Sequence, residues 1–189
     1  FEYILLFRNY GVTAGAMMEH PHSQLIATPI IPKRVQEEFI GSKQYFEYKE
    51  RCVFCDIIRH ESEDGSRLII ENNSFISFVP FAARFPFEMW ILPKKHNANF
   101  SDISKEEVMN LAKVLKDSLL KLKRALNDPS YNYILHTSAL KKQNGEYVHW
   151  HFEIMPRLTR VAGFEWGSGF YINPTPPEES AKYLREIEL

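Results

Sequence analysis

The feature that most constrains this chain is a motif that occurs twice. His20-Pro21-His22-Ser23-Gln24 and His149-Trp150-His151-Phe152-Glu153 share the pattern His-x-His-x-(Gln/Glu). An apolar run precedes each one: Tyr3 to Asn9 ends eleven residues before His20, and Tyr131 to Thr137 ends twelve before His149. A motif repeated together with its flank reads as an internal duplication. One whole copy runs from about Cys52 onward, with only the tail of an earlier copy before it. Because the chain also opens on Phe1, it reads as the C-terminal part of a longer protein cut inside its first repeat.

The motif itself suggests chemistry at phosphorus. Strand side chains alternate between faces, so a strand over His20 to Ala27 places His20, His22 and Gln24 together, with Pro21 and Ser23 behind. Imidazole is substantially neutral near pH 7 and can attack phosphorus covalently, which makes His22 the candidate nucleophile. Gln24 can donate to a phosphoryl oxygen. Just upstream, Asn9-Tyr10-Gly11 and Thr13-Ala14-Gly15 form turns that can present backbone N–H groups to phosphate. A metal on His20 would fix the segment that presents His22. The bland alternative is a surface histidine beside a metal-binding His20.

Cys52-Val53-Phe54-Cys55 admits three readings: a zinc site, a redox pair or ordinary core residues. Zinc needs two further ligands. His96, in Pro93-Lys94-Lys95-His96, and His149, which opens the second motif, supply them, with His136 and His151 in reserve. His60 reads as a loop residue and His136 as a hydrogen-bonded core histidine.

Two cysteines do not make a secreted disulfide framework, no apolar run approaches membrane-spanning length, and a net charge of -1 argues against bulk nucleic-acid binding. The expectation is a cytoplasmic protein without nucleic-acid or membrane partners. Strands are predicted at Glu2 to Asn9, Leu68 to Asn72, Phe75 to Pro80, Phe87 to Pro93, Tyr131 to Thr137 and Tyr147 to Met155, around a polar loop from Lys141 to Glu146. Val35 to Glu50 reads as a short helix. The strongest helix signal is Ser104 with Glu107, a capping box, followed by Val108, Leu111, Ala112, Leu115, Leu119, Leu122 and Leu126 at helical spacing. Its lysines, Lys113, Lys116, Lys121 and Lys123, are assigned to the solvated face. A short helix is placed from Glu178 to the end. The class is α+β.

Through His-Pro-His-Ser-Gln, Cys-x-x-Cys, Pro-Lys-Lys-His and the second His-x-His, the chain resembles the galactose-1-phosphate uridylyltransferase family. This is the nucleotidyltransferase branch of the histidine-triad superfamily. The resemblance extends from Phe7-Arg8-Asn9 to Gly163-Phe164-Glu165. It implies a histidine-triad-like antiparallel sheet with packed helices, residues 1-34 ending a first half and residues 35-189 holding a linker and a second half. It implies His22 as the nucleophile, assisted by Gln24, and Asn9 and Gly15 in substrate binding. Glu165 matches a residue that contacts the hexose across a dimer interface. Cys52, Cys55, His96 and His149 match a metal site that some members fill with zinc, and His20 a ligand of the first half's metal. Met17 stands where many members carry a serine. In the second motif Trp150 and Glu153 replace Pro and Gln, so His151 is not the expected nucleophile. The implied partners are a UDP-sugar and a hexose 1-phosphate in a homodimer. The alternatives are an ADP-sugar or diadenosine tetraphosphate phosphorylase, or a non-catalytic zinc domain.

Overall fold

The apolar runs pair into one antiparallel sheet in the computed structural model, which describes residues 1–18, 20–141 and 145–189. Among the described residues the strands are β1 (Tyr3–Tyr10), β2 (Gln24–Thr28), β3 (Leu68–Glu71), β4 (Phe75–Phe78), β5 (Met89–Pro93), β6 (Tyr131–His136) and β7 (His151–Pro156). Their order across the sheet is β2-β1-β6-β7-β5-β4-β3. The helices are α1 (Lys33–Lys49), α2 (Val53–Asp64), α3 (Lys105–Ala125), α4 (Gly163–Ser168) and α5 (Pro177–Glu186). The predicted α+β class and the antiparallel sheet are both present. The Lys141 to Glu146 loop lies partly outside the described residues.

The ladder sets the two motifs in equivalent places. Phe7 of β1 faces Ile134 of β6. On its other side Phe7 faces Gln24, and on its other side Ile134 faces Glu153. The fifth residues of the two motifs therefore flank the same central pair, and an approximate two-fold passes through Phe7 and Ile134. This register equates Asn9 with His136. The sequence comparison equated it with Thr137, one residue along, which would put the side chain on the opposite face.

Each face of the sheet buries a different core. Tyr133, Leu135, Phe152, Ile154, Met89 and Ile91 share one face and pack under α3 and α5 through Leu111, Val114, Leu122, Ala181 and Leu184. On the other face Phe54 and Ile58 of α2 cover Ile76, Phe78 and Leu92. Val35 and Phe39 of α1 pack around Tyr3. The start of α3 is capped as read: Ser104 Oγ accepts from the Glu107 backbone N–H, and Glu107 accepts from the Ser104 N–H at 2.8 Å. Asn127 and Asp128, both at positive φ, end it.

Several expectations need correction. β2 begins at Gln24, so His20 to Ser23 precede the strand, and β7 begins at His151. α1 is a full 17 residues. His60 is exposed on α2 rather than in a loop. Val108 and Ala112 face outward on α3, whereas Lys121 is buried and donates to the carbonyls of Arg185 and Ile187 at the end of α5. A buried ammonium needs such acceptors, and a helix C-terminus supplies them unpaired.

Candidate active site and metal centre

Residues 9–18 and 20–24 build a concave surface against the end of the sheet. After β1 the chain makes one tight turn over Val12–Ala14 between two glycines at positive φ. Gly11, at φ 80 and ψ 158, occupies a region open essentially to glycine alone, and Gly15 closes the turn in the left-handed conformation at φ 84. Asn132 of β6 ties this loop down: its Nδ2 donates to Asn9 Oδ1 at 2.8 Å and to the Ala14 carbonyl at 2.9 Å. A cavity of about 440 Å³ opens here, lined in part by Asn9, Gly11, Ala16, Met17 and His20.

His22 Nδ1–H donates to the carbonyl of His20 at 2.9 Å. A carbonyl only accepts, so the bond fixes the tautomer and leaves the lone pair on Nε2. Ser23 turns to the other face, its Oγ 3.1 Å from the Tyr133 hydroxyl, and Gln24 opens β2 opposite Phe7. His20 is exposed and, among the described residues, belongs to no group of candidate metal ligands.

The second copy repeats the same local bond. His151 Nδ1–H donates to the carbonyl of His149 at 2.9 Å. Its surroundings differ entirely. His151 is buried under Phe54 and Trp90 and stacks on His136 with ring centroids 4.7 Å apart. Burial pushes its pKa down. His136 Nδ1 lies 2.6 Å from Glu38 and its Nε2 3.4 Å from Glu153. Burial alone would lower the His136 pKa, but the charges of Glu38 and Glu153 outweigh it and raise the value to about 10. Arg84 bonds to Glu153 at 2.5 Å and to Glu88 at 2.8 Å, and Trp90 Nε1–H donates to Glu88 at 3.0 Å. Burial pushes the Glu153 carboxyl up, yet His136 and then Arg84 hold it well below the usual range. His151 reaches the cavity on this face with only 1% of its surface, its ring hemmed in by these groups, and His136 is the hydrogen-bonded interior histidine read from sequence.

The four residues assigned to metal come together. The ligand atoms of Cys52, Cys55, His96 and His149 all lie within 4.8 Å of one another. Cys55 Sγ is 3.4 Å from His96 Nδ1 and 3.6 Å from His149 Nδ1, and Cys52 Sγ is 3.9 Å from His149 Nδ1. A tetrahedral ion at ordinary metal–sulfur and metal–nitrogen lengths sets such edges at about 3.6 Å. Both rings point the same nitrogen inward: Nε2–H of His149 donates to the Pro93 carbonyl at 2.9 Å and that of His96 to the Gly145 carbonyl at 2.7 Å. Each Nδ1 is thus left with a free pair that could ligate a metal, its ring held by an outer partner. The cysteines sit at a helix start, with Cys52 at the N-cap position of α2 and Cys55 in its first turn. The Cys52 thiol pKa is driven down by the hydrogen bond from Cys55 and then by His149 and His96. A thiolate is the form that binds metal.

Sequence reasoning missed Glu38, Arg84 and Glu88, which line or support a cavity of about 1130 Å³ on the sheet face that carries Trp90, Ile134 and Glu153. Glu38, His136 and His151 also form a second group with metal-ligand spacing. Glu165 lies in α4, a helix the sequence reading did not place, and accepts from the Ala162 N–H at 3.0 Å. Phe164, Trp166 and Phe170 around it are exposed. No helix among the described residues is long and apolar enough to cross a membrane.

Residues 38–181 match the model of the galactose-1-phosphate uridyl transferase C-terminal domain. The ADP-glucose phosphorylase of Arabidopsis thaliana is 43% identical over 99% of this chain, which spans 52% of that relative. Its crystal structure, with bound ADP-glucose, superposes with a TM-score of 0.93 over 100% of this chain and 60% of its own. The galactose-1-phosphate uridylyltransferase of Thermotoga maritima is 36% identical over 100% of the chain, which spans 61% of it. A zinc-bound histidine triad protein from Mycobacterium smegmatis, at 23% identity and a TM-score of 0.50 over 71% of this chain and 90% of its own, shares the fold. The chain belongs to the galactose-1-phosphate uridylyltransferase family.

Proposed function

We propose that the full-length protein containing this chain transfers a nucleotidyl group from a sugar nucleotide by double displacement at His22. The supporting observation is the His22 ring itself, whose Nδ1–H is held by the His20 carbonyl so that Nε2 carries the free pair. In the first step Nε2 attacks the α-phosphorus, a P–N bond forms, the bond to the bridging oxygen breaks, and sugar 1-phosphate leaves with that oxygen. In the second, a phosphate oxygen of the acceptor attacks the same phosphorus and the P–N bond breaks. The acceptor is already ionised near pH 7, so positioning and charge stabilisation carry the rate. Gln24 and Asn9 supply that stabilisation.

The donor in this reading is UDP-glucose and the acceptor a hexose 1-phosphate, in line with the Thermotoga relative. A second reading, ADP-glucose with inorganic phosphate, is favoured by the 43% identity to the Arabidopsis phosphorylase. We assign zinc to Cys52, Cys55, His96 and His149, where it would pin α2 to the segment entering β7. His20 would serve a site completed outside this chain. The exposed Phe164, Trp166 and Phe170 support a homodimer in which Glu165 of one copy reaches its partner's sugar. Reduced Cys52 and Cys55 suit the cytoplasm.

Intact-mass measurement of the full-length protein after brief incubation with UDP-glucose or ADP-glucose tests this reading. The expected result is a nucleotidyl adduct that galactose 1-phosphate or phosphate discharges and that His22→Ala lacks. The mass of the adduct names the base. An enzyme that forms no adduct with either donor returns the chain to a non-catalytic zinc domain.

A further inference from the structure

We infer that Asn132, a residue of the second repeat, is a positioning residue for nucleotidyl transfer at the first. By holding Asn9 Oδ1 and the Ala14 carbonyl together, it turns the Asn9 amide nitrogen toward the transferring phosphoryl group. The inference rests on the nucleotidyl-transfer reading above.

The reasoning starts from a group of fixed polarity. The Ala14 carbonyl can only accept, so the Asn132 atom 2.9 Å from it is the amide nitrogen. That nitrogen has one proton left, and its other neighbour, at 2.8 Å, is the side chain of Asn9. Asn9 must meet it with an oxygen. The polarity of one backbone carbonyl thereby passes through Asn132 to Asn9 and leaves Asn9 Nδ2 on the far side. There it stands 3.8 Å from where a Cβ on Gly15 would be, against the turn. Among the described residues no acceptor takes its protons, while Asn9 lines the cavity shared with Gly11, Ala16 and His20. An amide donor held in a fixed direction at the wall of such a cavity is the arrangement that stabilises charge developing on phosphoryl oxygens.

The ladder supports the assignment twice. Asn9 and Asn132 are direct partners on β1 and β6, so their meeting is set by register rather than by a mobile loop. The two-fold through Phe7 and Ile134 equates Asn132 with Leu5 and Asn9 with His136. Leu5 has no donor, and His136 is engaged with Glu38 and Glu153. Among the described residues the relay therefore exists only in the repeat that carries His22, the motif that keeps its glutamine.

The test uses the full-length enzyme and Asn132→Asp, which keeps the shape but offers only oxygens. Facing that carboxylate, Asn9 gains by rotating its amide, which turns Oδ1 toward the phosphoryl group. At saturating donor, rapid-quench formation of the nucleotidyl-His22 adduct should slow at least about tenfold, with the donor KM changed by less than about threefold. In an Asn9→Ala background the same substitution should slow it by less than about twofold, because the group it acts through is gone. Asn132→Leu, which releases Asn9 without adding charge, should show the same non-additivity if the aspartate variant fails to fold. An unchanged rate in Asn132→Asp, or equal losses in both backgrounds, overturns the inference. A wild-type enzyme that forms no adduct with UDP-glucose or ADP-glucose instead overturns the nucleotidyl-transfer reading, and this inference with it.

Discussion

Replacing Arg84 by methionine tests whether the interior beneath the second motif is held by charge pairing. The arginine bridges two carboxylates that are nearly out of solvent: Glu88 is 1% exposed and Glu153 6%. Methionine retains most of the stem's packing and removes the guanidinium. The two acids are not left equally bare. Glu88 keeps the backbone N–H of Arg84 at 2.7 Å and Trp90 Nε1–H at 3.0 Å, whereas Glu153 keeps only the longer contact to His136 at 3.4 Å. Most of the penalty therefore falls on Glu153. Removing one partner of a buried pair destabilises by about 3–5 kcal/mol, far above the about 0–1 kcal/mol of a surface pair. With a urea slope of about 2 kcal/mol/M, the unfolding midpoint should drop by about 2 M. The double variant Arg84→Met/Glu153→Gln should recover about 1–2 kcal/mol, since a neutral amide no longer needs a counter-charge. Urea titration followed by tryptophan fluorescence reads both numbers. A single variant within about 1 kcal/mol of wild type, or a double variant no more stable than the single, would refute the reasoning.

Two further outcomes bear on the site. Gly11→Ala forces a Cβ to within 2.1 Å of Ser130 Oγ at a φ of +80, so the loop must shift. Adduct formation at His22 should fall by at least about tenfold, read by quenched intact mass. Cys55→Ser removes the sulfur nearest both imidazoles, so zinc content by elemental analysis should fall below stoichiometry, and chelator should destabilise wild type more than the variant.

Legibility from sequence followed how local the cause was. The Ser104–Glu107 cap is a local hydrogen-bonding effect, and α3 starts where it puts it. The Cys52, Cys55, His96 and His149 set was readable because metal ligation demands a restricted residue vocabulary. Glu38 was not. It sits on a helix with Glu37 and Glu47, and nothing local marks which carboxylate turns inward to His136. Arg84, Glu88 and Lys121 were hidden for the same reason: a charge survives burial only by tertiary pairing, and sequence neighbours do not reveal the partner. The Asn9–Asn132 contact depends on a ladder between two repeats, and a one-residue error in matching the repeats concealed it.

The seam through Phe7 and Ile134 also limits how the molecule can move. Five consecutive residue pairs, from Leu6–Leu135 to Tyr10–Tyr131, join the two repeats by backbone hydrogen bonds. A clamshell motion of one repeat against the other would have to break that ladder, whereas hinges elsewhere turn on a few loop residues. The ladder itself therefore opposes such a motion, whereas the glycine-bounded turn before His20 and the segment around Glu165 lie outside the sheet and are free of that constraint.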